Sequence, residues 1–159
     1  MNKSLLFFEK IARRASGLSQ TRPEPSEISH PFDEQNIHAE IQRVSKILFD
    51  DGHYSQATFE AYKLIDQKVK SMAGIDESGY KLMAKVFSDT KPIIKLTNLS
   101  NASEIDEQKG FQFLFSGAIL AIRNPRGHEC GLTESLTQCL DNLSFASMLL
   151  RRLEDVKIS

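Results

Sequence analysis

Hydrophobic residues recur at helical spacing along most of the chain. Ile37, Ile41 and Val44 follow Asp33, the predicted N-cap, at intervals of three or four residues. Gly74 is a predicted stop, because glycine readily adopts the left-handed conformation that ends helices. The whole pattern predicts helices over residues 2–16, 34–49, 54–72, 76–87, 104–123 and 133–156.

Strands are essentially absent from the pattern. Ile93-Ile94-Lys95-Leu96 has the composition of a strand, but the sequence offers no second strand to pair with it. We therefore expect an extended segment docked on the core. The predicted fold class is all-α, a four-to-five-helix bundle with an additional N-terminal helix.

The helix predicted over residues 104–123 is hydrophobic on two sides. Such a helix is either central in the bundle or also meets another subunit. Ser103 with Asp106 resembles a capping box at its start.

The domain boundaries follow from a shift in composition. Residues 1–16 form the N-terminal helix, and residues 17–32 form a linker that holds three of the five prolines. Residues 33–157 form the helical domain.

Composition narrows the class of protein. A chain of 159 residues with 40% hydrophobic residues is one ordinary globular domain. The formal net charge of −1 means that any nucleic acid must be held by a local patch. The two cysteines predict reduced thiols, and no apolar run approaches a membrane span, so we expect a cytoplasmic protein without membrane contact.

The junction before the last helix, residues 122–129, is unusually rich in chemistry. It contains Arg123, Asn124, Arg126, His128 and Glu129, whereas ordinary connections need only turn-forming residues. On a continuous helix, positions five apart point about 140° away from each other. Proline disfavours a helical conformation in the residue before it, so a break at residue 125 is predicted to re-aim His128 towards Arg123.

Arginine and histidine together suit RNA cleavage. RNA carries its own nucleophile, the 2′-hydroxyl, beside the phosphate. His128 can move a proton near neutral pH, and Arg123 can neutralise the charge of the phosphorane. This chemistry needs no metal and no cofactor. His128, Cys130 and Cys139 offer too few ligands at recognised spacings for a zinc site.

Several motifs together resemble the HEPN (higher-eukaryote and prokaryote nucleotide-binding) superfamily and its Ymh-type branch of prokaryotic and prophage-associated proteins. The similarity covers about residues 30–155 and includes the R-x4-H motif formed by Arg123 and His128. The motifs that carry it are Asp51-Gly52-His53-Tyr54, Phe59-Glu60-Ala61, Leu82-Met83, Gln108-x-Gly110-Phe111, Gly117-Ala118 and Ile122-Arg123-Asn124-Pro125-x-Gly127-His128-Glu129.

The resemblance implies a helical bundle that forms a homodimer, with the two motifs meeting at the interface. It also implies a metal-independent endoribonuclease that acts as a toxin, with a possible antitoxin or partner protein, or as an abortive-infection and phage-defence effector. Arg123 and His128 would be catalytic and Asn124 would orient the site. Glu60 is the candidate for an additional acidic residue.

Three alternatives stay open at the level of sequence. Arg123 and His128 are also explained as a helix C-cap, since cations favour the helix C-terminus. Arg126 either contacts phosphate or is solvated. The whole chain could be a non-catalytic module that binds RNA, nucleotide or a partner protein, because a fold does not fix a function.

Overall fold

The computed structural model describes residues 29–129 and 131–156, and every regular element in them is helical. The predicted all-α class is therefore confirmed. None of the described helices is long and apolar enough to cross a membrane. The helices are α1 (Pro31–Glu34), α2 (Ala39–Asp50), α3 (Tyr54–Ala73), α4 (Gly79–Val86), α5 (Ala102–Ala118), α6 (Asn124–His128) and α7 (Leu136–Glu154), with a π-helical turn at Ile119–Arg123 between α5 and α6.

Helix α3 is the central element of the bundle. It packs against α2, α4, α6, α7 and the π-helical turn. The predicted stop is confirmed, because Gly74 has a φ of +64° and its N–H bonds to the Lys70 carbonyl. The inward face of α3 is fully covered at Ala57, Ala61, Tyr62, Ile65 and Val69.

The first described helix, α1, begins at Pro31. Phe32 is fully buried and packs against Phe49, with ring centroids 4.9 Å apart. Asp33 does not cap α2, so that prediction is wrong. The backbone breaks after α1, and His38 becomes the N-cap because its Nδ1 accepts the Glu40 N–H at 3.2 Å. The predicted helix at 2–16 and nearly all of the linker lie outside the described residues.

The segment between α4 and α5 is docked on the core, as predicted, but it is not extended: its backbone bends, and the N–H groups of Ile93 and Ile94 both bond the Val86 carbonyl. Ile94 and Leu96 are buried, and the buried side chain of Gln108 fixes this segment. Gln108 accepts the Leu96 N–H at 2.8 Å and donates to the carbonyls of Phe87 and Ile94.

The start of α5 differs from the prediction. The capping residue is Asn101, whose side chain accepts the Glu104 N–H at 3.0 Å, so the predicted box of Ser103 and Asp106 is wrong. Helix α5 is not the centre of the bundle either. Its inner side buries Phe115 and Ala118, while its outer side stays exposed.

Candidate functional site

The chain does not break at Pro125. Asn124 keeps helical angles, φ −64° and ψ −44°, although it precedes a proline. Its N–H bonds to the Ile119 carbonyl five residues back, which defines the π-helical turn. Proline lacks an N–H and crowds the preceding turn, and a wider turn there accommodates both effects. The predicted helix break is therefore wrong.

Arg123 and His128 consequently lie on one continuous helical path. Five residues at about 100° each leave their side chains pointing about 140° apart. In the part of the chain that the structure describes, no hydrogen bond or ion pair joins the two. Arg123 is half-buried against α3, whereas His128 is exposed. One copy of the chain thus does not bring the two side chains together.

The guanidinium of Arg123 is held in place by a small number of contacts. Its Cζ lies 5.7 Å from the centroid of the Phe59 ring, a cation–π distance. Its Nη1 donates to the Asn124 Oδ1 at 3.2 Å, and the orienting role of Asn124 stays a prediction. Its Nε is buried and has no partner among the described residues. A cation held in this way is suited to pair with an anion.

The motif packs against the ring of Phe59 on α3. A Cβ added to Gly127 would lie only 3.0 Å from its ring, so α6 approaches α3 closely here. Lys63 lies 5.9 Å from the centroid of the same ring. Lys63 also bonds the Glu60 carboxylate at 3.1 Å, and no described contact joins Glu60 to Arg123 or His128.

Arg126 differs from Arg123 because its guanidinium forms an ion pair. Its Nε donates to Glu134 at 2.8 Å, and their side chains are only 12% and 1% exposed. Its Nη1 donates to the Ile122 carbonyl at 2.7 Å. Because this cation is largely covered and paired with Glu134, it is not freely solvated, and its contact with phosphate stays a prediction.

The acid of that pair has further partners. Glu134 also accepts from Thr58 Oγ1 at 3.0 Å and from Asn142 Nδ2 at 2.7 Å. Burial raises the pKa of the nearby Cys139 thiol to about 11; the Thr58 hydrogen bond lowers this pKa, and the Glu134 charge raises it. Burial likewise raises the pKa of Tyr62 far above its usual value.

A cleft of about 370 Å³ lies beside this network, between the start of α3 and the loop that follows α6. Within the described ranges, no three His, Cys, Asp or Glu side chains are grouped to hold a metal ion. The cleft is lined by Gly52, His53, Tyr54, Ser55, Gln56, Arg126, Glu129, Gly131, Leu132, Thr133 and Glu134.

The outer side of α5 carries a row of exposed residues, which we call the exposed stripe. Phe113 is 63% exposed and Leu120 is 49% exposed. His128 follows Ala121 by seven residues, close to two helical turns, so it lies at the end of the same face. The exposed stripe consists of Phe113, Leu114, Gly117, Leu120 and Ala121.

Sequence reasoning thus found the motif but missed the partners that hold it. Phe59 belongs to the Phe59-Glu60-Ala61 motif of the resemblance, but the sequence did not indicate its contact with Arg123. Glu134 precedes the α7 capping box of Ser135 and Gln138, where an acidic residue is usual near a helix start. Neither residue carries a local signal for contact with the motif, since both contacts arise from tertiary packing.

The structure is a helical bundle in which the π-helical turn that carries Arg123 and the short helix that carries His128 both pack against α3. A family model described as "Protein of unknown function (Hypoth_ymh)" matches residues 35–153. The chain therefore belongs to the Ymh family, as the sequence resemblance indicated. No curated protein and no solved structure matches it. These comparisons do not link the chain to the HEPN superfamily.

Proposed function

We propose that this protein is a metal-independent endoribonuclease of the HEPN type, which acts as a homodimer with Arg123 and His128 at its active site. The observation that carries the proposal is the state of Arg123. Its guanidinium rests on Phe59 and donates through Nη1 to the Asn124 Oδ1, and these two contacts hold the cation in place. Such a preorganised cation suits the charge that develops on a phosphate during cleavage.

The proposed reaction uses the RNA's own 2′-hydroxyl. His128, exposed at the end of the exposed stripe, accepts its proton as the oxygen attacks phosphorus. Arg123 stabilises the charged phosphorane, and the departing 5′-oxygen takes a proton from water. The products are a 2′,3′-cyclic phosphate and a 5′-hydroxyl. Glu60, on the neighbouring helix α3, is the proposed auxiliary acid.

A dimer can bring together an Arg123 and a His128, which a single chain keeps apart. Arg123 and His128 of one chain diverge along the helix, so we assign the pair at each site to two chains. The exposed stripe is the proposed contact surface, because large exposed apolar patches mark interaction sites. Gly117 within it leaves room for two helices to approach closely. We propose in addition that the two motifs meet beside this surface, so that the Arg123 of one copy acts with the His128 of the other.

The test is RNA cleavage by purified protein in excess EDTA. We expect wild type to produce fragments with cyclic phosphate ends, and Arg123→Ala and His128→Ala to lower kcat by about 100-fold or more. Arg43→Ala on α2, whose side chain is 71% exposed, is the matched control and should cleave normally. Equal cleavage by wild type and His128→Ala would contradict the proposal.

One observation favours a second candidate, a non-catalytic module that binds RNA, nucleotide or a protein. Because Arg126 is paired with Glu134, the motif helix offers fewer free cations than its sequence suggests. RNA that is bound but left intact by wild type would identify this function.

The proposed biological role is that of a cytoplasmic toxin or phage-defence effector, controlled by an antitoxin or another partner protein. Growth arrest on expression should then depend on Arg123 and His128. Arrest that persists unchanged in both alanine variants would contradict this role.

A further inference from the structure

Glu134 joins three helices at the base of the motif. Its carboxylate is 1% exposed and accepts from Arg126 on α6, Thr58 on α3 and Asn142 on α7. A buried carboxylate with three donors is fully satisfied and fixed in orientation. It lies two residues before α7, outside the motif that the sequence singled out.

Arg126 connects Glu134 to the π-helical turn. Its Nε bonds Glu134, while its Nη1 bonds the carbonyl of Ile122 at 2.7 Å. Ile122 immediately precedes Arg123, so this bond holds the turn from which the guanidinium of Arg123 projects. The planar fork of an arginine presents a separate nitrogen to each acceptor in a fixed geometry, which the ammonium of a lysine, a point charge on a flexible stem, does not reproduce.

We propose that Glu134 is a positioning residue: through Arg126 it fixes the π-helical turn and thereby the placement of Arg123 and His128. Its effect on catalysis rests on the RNA-cleavage proposal above. Its effect on the helix rests only on the contacts of Glu134 and Arg126, and it can be measured without RNA.

The activity arm compares three variants. Arg126→Lys keeps the charge beside Glu134 but loses the fixed two-nitrogen geometry of the guanidinium, and Glu134→Gln keeps the shape but loses the charge. We expect both to lower kcat about tenfold or more and to change KM by no more than about twofold, because the reacting groups are misplaced. Asp141→Asn, at an exposed acid on α7, is the control and should match wild type.

The structural arm is amide hydrogen exchange in free protein. We expect peptides from residues 119–129 to exchange faster in Arg126→Lys and Glu134→Gln, with peptides of α2 unchanged. Wild-type exchange at 119–129 in both variants would overturn the proposal. A uniform rise that includes α2 would also overturn it, because Glu134 would then only support the fold. If wild type cuts no RNA, the cleavage proposal fails, and the exchange result alone decides the role of Glu134.

Discussion

Two arginines three positions apart show how burial decides what a residue can do. Arg126 is paired with a buried acid and bonded to a carbonyl, so its donors serve the fold. Arg123 bonds only Asn124 among the described side chains and keeps its Nε free. The sequence placed both in one motif but could not separate them, because the separating residue, Glu134, lies beyond the motif.

At the residue scale, Cys139 should be unreactive in the folded protein. Burial, its largest influence, raises its pKa from 9.0 to about 11, so the thiol keeps its proton at neutral pH. In a Cys130→Ser variant, which has one thiol, iodoacetamide should label native protein far more slowly than urea-unfolded protein at pH 8. Labelling at equal rates would show that the thiol is open to solvent.

The same shift predicts how stability depends on pH. The folded thiol holds its proton at pH values where the unfolded one has lost it, so rising pH favours unfolding. From about pH 9 to pH 11 the free energy of unfolding should fall by about 2 kcal/mol on account of Cys139. Burial also raises the pKa of Tyr62, but Tyr62 is present in both proteins, so the difference between wild type and Cys139→Ala in denaturant titrations isolates the contribution of Cys139. Identical pH slopes for both proteins would refute it.

At the element scale, local rules predicted most helices and failed where a tertiary contact changed the rule. Gly74 ends α3 as expected, because its left-handed backbone depends on glycine alone. Pro125 does not end a helix, because the π-helical turn removes the clash that the rule assumes. His38 replaces Asp33 as the cap of α2, since burial of Phe32 sets where the chain turns.

The close approach of α6 to α3 gives a prediction for two glycines. Gly110→Ala on α5 adds a methyl group with no atom within 4 Å and should stabilise the helix by about 0.5–1 kcal/mol. Gly127→Ala should gain less or destabilise, because its Cβ would lie 3.0 Å from Phe59. Thermal unfolding in a Phe113→Glu background, which removes the proposed dimer contact, makes the comparison. Equal gains at both positions would mean that Phe59 moves freely.

At the scale of the whole molecule, the fold class and the Arg–His motif were predictable, and their geometry was not. Helical periodicity is a local property that the residues carry themselves. The direction of His128 relative to Arg123 depends on the π-helical turn, which no residue type specifies alone. The exposed stripe also depends on this geometry, because α5 lies at the surface of the bundle rather than at its centre.

The exposed stripe predicts the oligomeric state. We expect wild type to be a dimer by sedimentation equilibrium and Phe113→Glu to be a monomer, because a buried unpaired charge opposes association. Ile47→Glu is the matched control, since Ile47 on α2 is an even more exposed hydrophobic residue at 76%. A dimer in both variants would place the interface elsewhere, and a monomeric wild type would exclude the two-chain site.

The most direct test of the account is complementation between two inactive chains. Arg123→Ala and His128→Ala carry separate tags, are co-expressed, and the mixed dimer is isolated through both tags. One of its two sites then holds an intact Arg123 from one chain and an intact His128 from the other. We predict that the mixed dimer cleaves RNA in EDTA at about half the wild-type rate, because an isologous interface forms two equivalent sites. A mixed dimer as inactive as either parent, alongside an active wild type, would contradict a site shared in this way between two chains.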